Sequence, residues 1–147
     1  MSIPKVLAVS ISAKKGEKKK NVSKVKLKSD YGIVGDAHAG SKRQVSLLAI
    51  ESIEKMRAKG IDVKSGDFAE NITTSGIDLV NLPINTRINI GEGTVLEIKI
   101  IGKECHDRCH IYYTVGDCVM PREGVFAKVI KEGTIKPNDK ISIKEKL

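Results

Sequence analysis

The apolar residues of this chain come in short runs cut by glycine and turn signals, and one run alone keeps a helical period. Val6–Ile11 reads as a strand. Val22, Val25 and Leu27 alternate with lysines and mark a second strand with its charged side chains facing out. Gln44–Leu48 and Phe68–Thr73, the latter ending at Ser75-Gly76, read as two more. Thr86–Ile90 and Thr94–Ile101, joined by Gly91-Glu92-Gly93, form a hairpin pattern. Gly124–Ile130 and Ile141–Ile143 complete the series, with a turn signal at Lys136-Pro137-Asn138-Asp139 between them. The helical run is Ala49–Lys59, where Ile50, Ile53 and Met56 recur at helical spacing and Gly60 stands at the cap position. About eight short strands with one clear helix favour a mainly β chain, closed or partly closed as a barrel or folded sandwich. Strands do not alternate regularly with helices, so a doubly wound parallel sheet is not expected.

Composition agrees. The 147 residues suit a single domain, 1–147. Aromatics are 3% and Trp is absent, so Ile, Val and Leu must build the core, and these residues suit strands. The apolar stretch Ile3–Ile11 is short, is broken by Lys5, and lacks the form of a secretory signal. No run approaches the roughly 20 apolar residues of a membrane-spanning helix. A soluble, cytoplasmic protein with no membrane partner is the expectation.

The net charge of +8 favours anionic partners. Much of the excess sits in Lys14–Lys20, in Lys24, Lys26 and Lys28, and near the C-terminal end at Lys140, Lys144 and Lys146. A Lys-rich run of this kind reads first as a solvated loop. Arginines are outnumbered and aromatic stacking partners are nearly absent, so nucleic acid is a poor candidate.

All three cysteines fall between positions 105 and 118. An odd, clustered set argues against a disulfide framework and for metal or thiol chemistry. In Gly102-Lys103-Glu104-Cys105-His106-Asp107-Arg108-Cys109-His110, the two cysteines are spaced to share one face of a helical turn, and His106 and His110 the neighbouring face. Lys103, Arg108 and Arg122 are close in sequence, and cations lower a thiol's pKa. Three readings stand. A thiolate binds molybdenum through a cofactor or carries a persulfide. Cys105, Cys109 and Cys118 with a histidine such as His106 hold zinc. Or the cysteines are small, partly buried residues without a role, the reading that so dense a cluster least favours.

Upstream, Gly32-Ile33-Val34-Gly35-Asp36-Ala37-His38-Ala39-Gly40 is rich in glycines that permit positive φ and close approach of a ligand. His38 taken alone is a surface histidine in a polar turn.

This stretch, with Arg43-Gln44-Val45-Ser46-Leu47-Leu48, resembles the opening signature of the stand-alone MOSC proteins, named after the C-terminal domain of molybdenum-cofactor sulfurases. Gly66-Asp67-Phe68-Ala69-Glu70-Asn71-Ile72-Thr73 resembles their middle signature. Gly102 through Cys109, with Cys118-Val119-Met120-Pro121-Arg122-Glu123-Gly124-Val125-Phe126-Ala127, resembles their C-terminal one. Ser12-Ala13-Lys14-Lys15-Gly16 and its lysines are similar to the N-terminal stretch. The resemblance covers nearly the whole chain in the family's order. It implies a β-barrel-like fold and a role around molybdenum cofactor. By its place in the motif Cys109 matches the cysteine that ligates molybdenum or handles its sulfur, with Cys105 and Cys118 next.

A pterin phosphate would take backbone N–H groups and cations from the Gly35–Gly40 loop, Arg43 and the Lys14–Lys20 loop. Gln44 and Arg122, within the matching motifs, join the cofactor-binding candidates. Asn71 would hydrogen-bond the ring edge or only cap a turn. Arg43 would alternatively tie loops together through carboxylates. Asp36 and His38 would orient ligands or shuttle a proton. Sulfurase relatives bring pyridoxal phosphate through a domain in front, for which 147 residues leave no room, and the β-domain of reductase relatives is also not found. A complete sulfurase mechanism is therefore not expected to carry over. A cofactor-biosynthesis protein or a molybdoenzyme would be the partner. Two alternatives remain: a small molybdenum reductase of N-hydroxylated compounds fed by a separate electron donor, and a zinc-stabilised binding module without pterin.

Overall fold

The computed structural model describes residues 4–13, 19–37, 39–41, 44–60, 62–66, 70–101 and 124–144. Eleven strands run through them: β1 Lys5–Ile11, β2 Lys20–Val22, β3 Val25–Lys28, β4 Gly32–Ile33, β5 Val45–Ala49, β6 Ile72–Ser75, β7 Arg87–Ile90, β8 Thr94–Ile101, β9 Val125–Lys131, β10 Gly133–Ile135 and β11 Ile141–Lys144. One α-helix, α1 Ile50–Ala58, and a single 3₁₀ turn at Leu79–Asn81 complete the described elements.

The expected hairpin is β7–β8, antiparallel from Ile90↔Thr94 to Arg87↔Glu97. The helix stands where its period placed it, with Ile53 and Met56 fully buried. It stops at Gly60, whose φ of 89° lets its N–H turn back to the Arg57 carbonyl at 3.0 Å. Two expectations change. The second predicted strand is broken into β2 and β3 at Ser23-Lys24, because β2 pairs with β1 while β3 leaves to pair with β10 and β4. Of the strand expected over Phe68–Thr73, Phe68 and Ala69 lie outside the described residues and β6 starts at Ile72, although the Asn71 N–H and carbonyl already bond to the Ser46 carbonyl and the Ser10 N–H.

Eight strands form one sheet in the order β11-β7-β8-β9-β5-β6-β1-β2, and β10-β3-β4 form a second. The large sheet curls until the start of β1, the strand next to its β2 end, meets the start of β11. Lys5 bridges Lys140, the Val6 N–H donates to the Asp139 carbonyl at 2.8 Å, and the Ile141 N–H donates to the Pro4 carbonyl at 2.9 Å. The closure is local, so the barrel is partly closed.

Alternation aims Val45 and Leu47, Ile88 and Ile90, Leu96 and Ile98, and Val125, Ala127 and Val129 into one core. The small sheet adds Val25, Leu27, Ile33 and Ile135 to it. On β1, Val6 and Val9 both face inward although they are an odd number of residues apart. The ladder to β6 shifts register between Val6 and Ala8, and the irregularity returns Val9 to the inner face. Outside the barrel wall α1 rests on β5 and β6. Those two strands are parallel, from Leu47↔Ile72 to Ala49↔Thr74, and α1 lies in the crossover that a parallel pair requires.

Candidate functional site

The glycine-rich stretch contains β4 and the turns after it. Gly32 (φ 126°), Gly35 (φ 88°) and Gly40 (φ 79°) all take conformations that side chains disfavour. At Gly32 a Cβ would also stand 2.9 Å from the Gln44 carbonyl oxygen. The Asp36 N–H closes the first turn on the Ile33 carbonyl at 3.1 Å. The Gly40 N–H reaches the Tyr31 carbonyl at 2.7 Å, and the Ala37 N–H reaches the Ser12 carbonyl at 2.8 Å.

Asp36 turns its carboxylate into the protein. Oδ1 lies 2.8 Å from Lys19 Nζ, with both side chains fully buried. The same oxygen accepts the Ser12 N–H at 3.1 Å, and Lys19 Nζ also donates to Ser12 Oγ at 3.2 Å. A buried charge persists only with such partners. Lys19 is the correction here. As a member of the basic run it was expected in a solvated loop, and it is instead an interior cation. The lysine run carries no local sign of this, because the partner comes from the next turn of the fold.

From Lys19 the polar seam continues. Its N–H donates to the Gly66 carbonyl at 2.8 Å. Gly66 (φ 95°) is pressed so closely on Lys19 that a Cβ would overlap the Lys19 carbonyl oxygen. The Gly66 N–H donates to Glu70 Oε1 at 2.7 Å, and Glu70 is fully buried. Its place four residues after a glycine is the only sequence signal for that role.

Asn71, also fully buried, spends its amide on the fold. Oδ1 accepts the Ser46 N–H at 3.0 Å and the Ser46 hydroxyl at 3.1 Å, while Nδ2 donates to the Ser10 carbonyl at 3.1 Å. It thereby ties β5 to β1 just below the start of β6. Gln44 works in the same way. Nε2 donates to Asp30 Oδ1 at 3.2 Å, and Oε1 accepts the Val129 N–H at 3.1 Å. The Gln44 hydrogen bond, with Lys128 beside it, holds the Asp30 carboxyl below its ordinary pKa.

Of the sequence-predicted site, then, Asp36, Gln44 and Asn71 are buried and aimed at the protein, and Gly35 stands in an exposed turn above them. Asp36 and Asn71 are joined through Ser10–Ser12 at the end of β1. His38, Arg43, Cys105, His106, Cys109, Cys118 and Arg122 lie outside the described residues. Ile101 and Val125, the described residues nearest either side of the cysteines apart from Gly124, are cross-strand partners on β8 and β9.

Among the described residues no group of three or more His, Cys, Asp or Glu side chains is arranged to hold a metal. No described helix is long and apolar enough to cross a membrane. A cavity of about 550 Å³ lies between the first turns of α1 and Gly76–Asn81, and one of about 320 Å³ lies beside the β7–β8 turn. None of the described site candidates Gly35, Asp36, Gln44 and Asn71 lines either. The described residues thus supply turns with inward polar contacts, and the sequence-predicted thiols lie outside them.

The family model described as "MOSC domain" matches residues 34–142. No curated protein matches the chain. Among solved structures, the YuaD protein of Bacillus subtilis is similar at TM-score 0.80 and 20% identity, covering 95% of this chain and 94% of that one. YiiM of Geobacillus stearothermophilus is similar at TM-score 0.72 and 15% identity, covering 97% and 75%. YiiM of Escherichia coli is similar at TM-score 0.70 and 16% identity, covering 100% and 72%. At these identities the likeness is one of fold.

Proposed function

Since the chain belongs to the MOSC-domain family, we propose that it binds molybdenum cofactor and handles its sulfur, with the Cys109 thiolate as molybdenum ligand or persulfide carrier. The observation that carries the reading is the extent of the family match. Residues 34–142 take in the glycine-rich turns, the Asn71 pin and all three cysteines.

The donor set fits the group. Thiolates are soft ligands suited to such a metal, and Arg43 and Arg122 offer the forked cations that phosphate recognition uses. Cys109 would hold the metal or the sulfur, with Cys105 and Cys118 as its nearest substitutes. Exposed backbone at Gly35, with Arg43, would take the phosphate. Asp36, Gln44 and Asn71 would serve from behind, because their polar atoms are already engaged in holding the frame. When bound, the cofactor supplies a metal centre with exchangeable sulfur. The protein's part is to present one thiolate to it and to fix the loops around it. A cofactor-biosynthesis protein or a molybdoenzyme would stand on the other side of the exchange.

The test is expression in cells that make molybdenum cofactor, purification without oxygen, and elemental analysis beside oxidised-pterin fluorescence. The expected result is molybdenum and pterin in equal amounts, lost at least tenfold in Cys109→Ser with an unchanged melting temperature. Unchanged cofactor content in Cys109→Ser overturns the choice of cysteine. Zinc without pterin overturns the proposal in favour of a metal-stabilised module.

A further inference from the structure

We infer that Lys19 and Asp36 form a positioning pair, a buried ionic clamp that sets the glycine-rich turn against the end of β1 and so fixes the cofactor-facing loop without touching the ligand. The inference rests on the proposed function for its ligand and on geometry for everything else. The Nζ–Oδ1 distance is 2.8 Å with both side chains fully buried. Ser12 completes the clamp from a third segment, with its N–H on Asp36 Oδ1 and its Oγ within 3.2 Å of Lys19 Nζ. The backbone repeats the connection where the Ala37 N–H meets the Ser12 carbonyl and the Lys19 N–H meets the Gly66 carbonyl.

If the site needed only packing, two apolar side chains would fill it as well or better, because desolvating two charges is expensive. What an ion pair adds is geometry. Carboxylate and ammonium must meet at one separation, and the turn from Val34 to Ala37 must then sit at one height over Ser12. The Lys19 side chain is fully buried, and Nζ gives hydrogen bonds to Asp36 and Ser12. A phosphate would have to draw it out of that setting, at a desolvation and pairing cost, so Lys19 acts through Asp36.

The experiment compares wild-type full-length protein with Lys19→Met, Asp36→Asn and the apolar double variant Lys19→Met/Asp36→Leu. Amide hydrogen exchange is followed at Ala37 and Lys19, with the Ile98 N–H, which donates to the Thr86 carbonyl, as the core reference. Molybdenum and pterin content are measured on the same preparations. The single variants should speed exchange at Ala37 and Lys19 at least tenfold beyond any change at Ile98. The double variant should fold with Ile98 protection near wild type, yet hold at least tenfold less cofactor. Equal acceleration at all three amides overturns the clamp and leaves a general stability role. Wild-type cofactor content in the folded double variant also overturns it. If wild-type protein holds no pterin, the proposed function fails, and the local exchange ratio still decides whether the pair sets the turn.

Discussion

Replacing Asn71 by alanine probes how much of the frame hangs on one side chain. Its amide makes three hydrogen bonds in a fully buried setting, two to Ser46 and one to the Ser10 carbonyl. Alanine leaves the Ser46 N–H without its acceptor, and an orphaned buried donor costs about 1–3 kcal/mol. The Ser46 hydroxyl and the Ser10 carbonyl each lose a bond worth about 1 kcal/mol, partly recovered if the hydroxyl re-aims. The sum is about 2–5 kcal/mol before any cavity term. For a chain of this length each kcal/mol moves the melting temperature by about 2–4 °C, so a fall on the order of 10 °C is expected. Urea unfolding of cofactor-free protein is the assay, with a lower midpoint at unchanged slope as the expected outcome. A side chain reserved for a ligand would leave the cofactor-free protein nearly as stable as wild type. A loss under about 1 kcal/mol would therefore refute the structural role and return Asn71 to the list of direct cofactor contacts.

Three further outcomes follow from the packing. Gly66→Ala should cost at least about 3 kcal/mol in the same unfolding assay, because a positive φ and a Cβ driven into the Lys19 carbonyl act together; a loss near zero would mean that the Lys19–Gly66 contact is not held in solution. Thr73→Val and Thr74→Val should each raise stability by up to about 1 kcal/mol, since both buried hydroxyls have no hydrogen-bond partner among the described residues and valine keeps the branched shape; destabilisation of either would point to a bond made in solution. Glu97 is held below its ordinary pKa of 4.5 by Lys99 first and Arg87 second, against the opposing effect of burial. A lowered folded-state pKa gives stability that is complete above the unfolded value and is lost as pH falls through the folded one. Melting temperature should therefore drop below pH 4.5 less steeply in Glu97→Gln than in wild type, and parallel curves would remove Glu97 from the acid transition.

Local features of the chain were legible wherever the determining interaction is itself local. Two glycines within Gly91–Gly93 dictate a hairpin, and apolar spacing with Gly60 dictates where α1 runs and stops. Motif order across the chain pointed to the family that the match over residues 34–142 bears out. The strands β4 and β10 escaped notice because two or three residues carry no period, and they exist as strands only through their pairing with β3.

The roles of polar side chains were decided by the tertiary structure. Asp36, Gln44 and Asn71 were marked as candidates from residue type and motif, and nothing local says whether such a group faces a ligand or the core. Asn71 finds its partners 25 and 61 residues away, Gln44 finds one 85 residues away, and Lys19 meets a carboxylate 17 residues on. Parallel pairing of β5 with β6 and the local meeting of Pro4–Val6 with Asp139–Ile141 are likewise long-range events. The physical reason is common to all of them. A periodic pattern specifies which face of an element is buried, whereas a hydrogen bond or ion pair is specified only when two distant segments are brought within about 3 Å of each other.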